Sequence, residues 1–314
     1  MNFRTNLQLK PERNQIDYDS KILLFGSCFS ENISKKLAYF KFNTGSNPFG
    51  ILFNPIAIER LITNAINLKE YTESDIFQLN ERWHCFDAHS DISAIEKNEL
   101  LLNLNNEIST THKQLSEASH IVITLGTAWV YRFIENDTIV GNCHKVPQKK
   151  FLKELLSTQE ITASLDNIST LIKSINSNVT IIFTVSPVRH LSDGFVENAQ
   201  SKAHLLTAIH EITDIKNQLY YFPSFEIMLD DLRDYRFYAK DMIHPNEIAV
   251  DYIWEQFKKA WINENTALVM KDVETVQKGL AHKPFNPASK QHQQFLNNLK
   301  LKKNKLFEHY QIQF

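Results

Sequence analysis

The decapeptide Lys21-Ile-Leu-Leu-Phe-Gly-Ser-Cys-Phe-Ser30 decides how the chain is read. Its apolar run from Ile22 to Phe25 is short and stops at Gly26, the pattern of a strand buried on both faces. From Ser30-Glu31 onward, Ile33, Leu37 and Phe40 return at helical spacing behind an acidic first turn. The stretch predicts a core strand that ends in a tight turn and hands over to a helix. Ser27 and Cys28, both nucleophiles, fall on that turn. Free backbone N–H groups and the positive end of the helix dipole favour an oxyanion or a thiolate there.

Three later runs repeat the strand pattern: His120 to Leu125, Val179 to Pro187 and the shorter Leu219 to Phe225. Helical spacing occupies the intervals, over Pro55 to Ile66, Ile95 to Ser119, Phe151 to Leu156, Ile161 to Ile175, Ala199 to Ile215 and Ile248 to Phe257. Strands 20 to 90 residues apart with helices between them are parallel β-α units, not hairpins. Asn43 to Gly50, dense in turn formers, reads as a functional loop, and Tyr71 to Ser93 as irregular structure. The final helix of the domain closes it near Asn263. Residues 264–314 are Gln- and Lys-rich and read as a helical extension to a domain of residues 1–263.

The 314 residues are 43% hydrophobic and 22% charged, which suits a globular protein with a large core. A formal charge of −2 gives no global reason to expect nucleic acid. Met1 to Lys10 has no apolar leader, and no stretch approaches the ~18 apolar residues of a membrane span, so a cytoplasmic protein is expected. Three cysteines, Cys28, Cys85 and Cys143, are odd in number and widely spaced, which argues for free thiols. His84, Cys85 and His89 lack the paired-knuckle spacing of a zinc site, so no metal is expected. None of the seven glycines forms a dinucleotide or P-loop signature, and no cofactor is expected.

In a parallel open sheet, loops at the carboxyl ends of strands converge on one ligand-binding edge. Asp241-Met-Ile-His244, just ahead of the last helix, can therefore meet the Ser27-Cys28 turn. A histidine there could take the nucleophile's proton while an aspartate fixes its tautomer. Arg189 and His190, following the third strand, are candidates for holding an anionic or sugar substrate.

Phe25-Gly-Ser-Cys-Phe-Ser30 resembles the signature of the GSCFA family, with Ser30 in place of its last Ala. The resemblance extends through Asn47-Pro-Phe-Gly50, Thr124-Leu-Gly-Thr-Ala-Trp-Val-Tyr131, Asn142-Cys-His-Lys145, Ser186-Pro-Val-Arg-His190 and Asp241-Met-Ile-His-Pro245, about residues 1–262. That family is grouped with the SGNH (GDSL-like) hydrolases, which implies an α/β, three-layer α/β/α sandwich with a mainly parallel flavodoxin-like sheet. It also implies ester hydrolysis or acyl transfer on an acylated substrate such as a carbohydrate, with a binding or scaffold protein of the same fold as the alternative.

The resemblance places the catalytic Asp and His at Asp241 and His244. In its Gly-Asp-Ser register Cys28 falls on the nucleophile and Ser27 on Asp, so either Cys28 attacks or Ser27 attacks from a shifted turn. It implies oxyanion donors at Gly45 and at Gly126-Thr127, where the family pattern's Gly-x-Asn-Asp is absent, and substrate contacts from Asn47, His144, Arg189 and His190.

Overall fold

The computed structural model describes residues 5–314, so the reading of Met1 to Lys10 falls partly outside it. Five parallel strands form the central sheet: β1 (Lys21–Gly26), β2 (Asn43–Ser46), β5 (His120–Leu125), β9 (Thr180–Val185) and β10 (Leu219–Tyr221), in the order β10-β9-β5-β1-β2. This is the flavodoxin-like order, and its switch point lies between β1 and β5. Connections run through α1 (Cys28–Tyr39), α2 (Pro55–Ile66), α3 (Lys97–Glu117), α4 (Thr158–Ile175) and α5 (Phe195–Ile212). A short α6 (Ser224–Glu226) continues as a π-helical turn over Ile227–Leu232 before α7 (Glu247–Trp261).

The period of two along each strand creates two cores. Leu23, Phe25, Ile121, Ile123, Ile181 and Phe183 face α2 to α5. Their neighbours Ile22, Leu24, Val122 and Ile182 face Phe29, Ile33 and Leu37 of α1 and Ile253, Trp254 and Phe257 of α7. The result is a three-layer α/β/α sandwich, as expected.

Three local readings are corrected. Phe151–Leu155, expected as helix, is strand β8, because its neighbour β6 (Trp129–Phe133) offers an antiparallel edge and Arg132 grips Glu154 across the pair. A six-residue helix would forfeit that pairing for too few bonds of its own. The loop at Asn43 is, as far as Ser46, the edge strand β2, which the exposed edge of β1 templates despite its weak β-propensity. The Tyr71 to Ser93 segment contains a hairpin of β3 (Ile76–Leu79) and β4 (Arg82–Cys85).

With β7 (Thr138–Ile139), β6 and β8 make a small antiparallel sheet inserted between β5 and α4. It starts two residues after Gly126-Thr127 and is tied back by Leu156 N–H to Ala128 O at 3.0 Å. It therefore stands at the carboxyl edge of the main sheet.

Beyond α7 the helical extension consists of two helices, α8 (Glu264–Ala281) and α9 (Lys290–Tyr310). Val273, Val276, Leu299 and Leu306 form their shared core, which leans on Tyr18 and Phe40. No helix among the described residues is long and apolar enough to cross a membrane.

The β1-α1 junction depends on one glycine. Gly26 has φ +127°, and a Cβ there would lie 2.1 Å from Thr124 O. Gly26→Ala combines a left-handed backbone with a backbone clash. It is expected to cost about 3 kcal/mol or more, read from urea unfolding midpoints.

Candidate active site

Where β1 ends, three hydrogen bonds fix the turn. Gly26 N–H donates to Asn47 Oδ1 at 2.9 Å, Ser27 N–H to Thr124 O at 3.1 Å, and Asn47 N–H to Leu24 O at 2.9 Å. Asn47 sits at φ +46°, and its Nδ2 is a buried donor with no partner in the protein.

Ser27 is the N-cap of α1. Its hydroxyl accepts from Phe29 N–H at 3.2 Å, and the residue is 2% exposed. Cys28, the first residue of the helix, is half-buried and carries a free thiol. Burial, and then Glu31, push its pKa up, while the N–H groups of Cys28 and Phe29 and the cation of Lys202 pull it down. The balance is a resting thiol that needs a base. Ser30 is fully buried with its hydroxyl on Phe25 O at 2.9 Å, so it serves the turn alone.

Asp241 and His244 occupy one tight turn ahead of α7. Asp241 Oδ1 accepts the N–H groups of Ile243 and His244 at 2.9 and 3.0 Å, and its Oδ2 meets His244 Nδ1 at 2.7 Å. Those backbone donors, and then the imidazole, hold the Asp241 carboxyl down at about 2. With Nδ1 engaged, Nε2 is the nitrogen left to handle a proton. Both side chains are about half exposed, and no hydrogen bond joins His244 to Cys28 or Ser27 among the described residues.

His190 stands between these two turns. Its ring packs on Phe53 at 5.1 Å, its N–H donates to Asn198 Oδ1 at 2.9 Å, and Nε2 points at the Cα of Gly126 without a partner. Burial, then the neighbouring Lys202 and His244 side chains, drop its pKa to about 3. His190, Phe53, Trp129, Tyr131, Asn142 and Asp193 line a cleft of about 170 Å³ at the carboxyl edge of the sheet.

Lys202 is the residue that sequence reading missed. It is 1% exposed, and its ammonium donates to Gly126 O at 2.7 Å and Ser186 O at 2.8 Å, clamping the ends of β5 and β9. Burial lowers its pKa to about 7, opposed by the nearby Cys28. A lone lysine on the apolar face of α5, between Ser201 and Leu205, was the available signal.

Other expected residues lie elsewhere or are engaged. Gly45 is mid-strand in β2 opposite Leu23, against the Gln114 side chain, not at the carboxyl edge. The Thr127 hydroxyl is paired with Ser201 Oγ at 3.0 Å and accepts Trp129 N–H at 3.1 Å. His144 is buried beneath the small sheet, bonded to Cys85 O at 2.7 Å and Ser90 Oγ at 3.2 Å, and burial lowers its pKa to about 4. Arg189 and His190 face opposite ways: His190 lines the cleft, whereas the Arg189 guanidinium lies over the Tyr238 ring at 4.1 Å. Among the described residues no group of three or more His, Cys, Asp or Glu side chains could hold a metal ion.

The two neutral histidines set an acid limit. Unfolded, each takes up a proton near pH 6.5; folded, His144 waits until about pH 4 and His190 until about pH 3. Between those limits the unfolded chain binds more protons, so stability falls as pH drops below 6.5, by up to ~1.4 kcal/mol per pH unit per histidine. His190→Gln and His144→Gln should each remove about one proton from the slope of unfolding free energy against pH between 6 and 4, whatever they do to the plateau.

No curated protein sequence matches this chain. The profile of the GSCFA family matches residues 21–257, which hold both candidate turns, and that of the GSCFA domain protein, C-terminal domain, matches residues 273–314. A match over most of the chain, continued through its last two helices, makes this protein a member of the GSCFA family.

Proposed function

We propose that the protein is an esterase or acyltransferase of the SGNH hydrolase type, with Cys28 as nucleophile, His244 as general base and Asp241 as its orienting carboxylate. The observation that carries this reading is the hydrogen-bonded Asp241–His244 pair on the same sheet edge as a half-buried thiol at a helix N-terminus. The domain that performs this chemistry is taken as residues 1–263, with 264–314 as its helical extension, in keeping with the break between α7 and α8.

Cys28 is preferred to Ser27 for a structural reason. The Ser27 hydroxyl already satisfies a helix donor and is almost fully covered, whereas the Cys28 thiol is accessible at the first turn. In the proposed cycle the half-exposed His244 loop closes on the thiol, and Nε2 takes the proton from Sγ. The sulfur attacks the ester carbonyl. The resulting oxyanion is met by the N–H of Cys28 at the α1 terminus and by Nδ2 of Asn47, whose amide is anchored to the turn itself.

Collapse releases the alcohol, which leaves with the proton from His244, and a thioester remains on Cys28. Water or an acceptor hydroxyl then attacks the thioester while His244 takes its proton. The cleft walled by Phe53, Trp129 and Tyr131, with Asn142 among them, suits the apolar face and hydroxyls of an acylated sugar. A second reading, a binding protein that keeps the fold without turnover, is favoured by the missing His244–Cys28 hydrogen bond and by the raised thiol pKa.

Turnover of a chromogenic acetyl ester separates the two. Cys28→Ala and His244→Ala should each lose at least about 10³-fold in kcat/KM. Ser27→Ala should keep activity within a few-fold while losing about 0.5–2 kcal/mol of stability with its cap. A wild type that neither hydrolyses the ester nor is alkylated by iodoacetamide at Cys28 would leave only the binding reading.

A further inference from the structure

A second recess, of about 150 Å³, is lined by Arg189, Arg233, Tyr235, Tyr238, Met228 and Asp234. Its charge is unbalanced. Arg60, Arg132 and Arg236 each face a carboxylate, whereas Arg189 and Arg233 make no ion pair among the described residues. The carboxylate present, Asp234, is taken by Arg236, whose Nη2 lies 3.0 Å from Oδ2 and whose N–H donates to Oδ1 at 2.8 Å.

Arg189 is held as a ligand-binding guanidinium would be. Its plane rests over Tyr238 at 4.1 Å, with Tyr235 at 5.1 Å, which orients the N–H fork while leaving its edge free. Its Nη1 is buried without a hydrogen-bond partner, and a covered cation without a counter-ion is costly. Tyr238 is 7% exposed; burial raises its pKa, so the hydroxyl remains a proton donor.

The recess is also wired to the catalytic turn. Arg189 N–H donates to Ile243 O at 3.2 Å, Ala239 N–H to His244 O at 2.8 Å, and Tyr238 bridges to Pro245. Whatever fills it acts on the framework that positions the imidazole.

We propose that this recess binds an oxyanion, a phosphate, sulfate or carboxylate group, held by Arg189 and Arg233. Its volume accommodates such a group beside the two guanidinium groups. Resting on the esterase reading, the anion belongs to the substrate: its charged group docks beside Tyr238 while its acylated portion lies in the cleft by His190. The substrate class is then an acylated, negatively charged small molecule. Arg189 and Arg233 are binding residues, and the fork geometry of arginine supplies the selectivity for oxyanions over chloride.

The test measures binding and turnover separately. Inorganic phosphate and sulfate are titrated calorimetrically into the full chain, with chloride at matched ionic strength as control. Saturable binding is expected, weakened at least tenfold by Arg189→Gln and severalfold by the exposed Arg233→Gln, and unchanged by Cys28→Ala. Binding that matches chloride, or that survives both Arg189→Gln and Arg233→Gln in proteins with wild-type melting curves, overturns the proposal.

In the second arm, kcat/KM for an acetylated sugar phosphate should exceed that for the uncharged acetylated sugar at least tenfold, and Arg233→Gln should shrink the ratio. Phosphate binding without any ester turnover would retain the anion site as a free-anion site and discard the esterase reading. Turnover without anion preference or phosphate binding would retain the esterase and discard the anion site.

Discussion

Everything at the carboxyl edge of this sheet depends on the carbonyl of Thr124 being met by the N–H of Ser27 across the left-handed Gly26. That bond turns the chain out of β1 at the gap where neighbouring connections leave in opposite directions, so α1 begins at the switch point of the sheet. Asn47 completes the junction from the edge strand, joining β2 to the same turn. A side chain at residue 26 would push the strands apart. The thiol, the helix terminus and the neighbouring loops would then lose their common origin.

The electrostatics of this edge come from burial more than from ion pairing. Lys202 spends its donors on two carbonyls, and His190 is kept neutral between that cation and His244. Lys202 draws the pKa values of both the Cys28 thiol and the His190 ring down, and Asp241, Glu31 and Asp193 are the carboxylates nearby. Such an environment suits chemistry that generates negative charge, and it suits ligands that arrive carrying it. Most of these groups are held by backbone contacts, which makes their positions a property of the fold and not of side-chain conformations.

Much of the architecture was legible because long-period burial writes itself into sequence. The β1, β5 and β9 runs are dominated by aliphatic and aromatic residues and buried almost throughout, and each stops where a turn begins. Phe151–Leu155 misled because five residues with Leu and Phe at mixed spacing satisfy either period, and only the presence of β6 decides. Asn43–Ser46 misled for the opposite reason: nothing in Asn-Thr-Gly-Ser favours a strand, and the edge of β1 imposes one. At the site, the Asp241–His244 spacing carried its own geometry, since a three-residue step across a tight turn brings carboxylate to ring. Gly45 did not, because its role depended on where β2 ends, and that end lies one step before Asn47. Lys202 shows the limit from another side, for its neighbours are carbonyl oxygens, which no pattern of residue types announces.

The two C-terminal helices have a consequence for the order of assembly. Gln277 of α8 donates to Tyr39 O at 2.7 Å, so the last carbonyl of the helix that begins at Cys28 is satisfied by a residue 238 positions later. During synthesis, α1 can dock on the sheet long before that partner leaves the ribosome. Its last carbonyl therefore waits for its partner until α8 has emerged. The helix that carries the thiol is among the first made and the last finished.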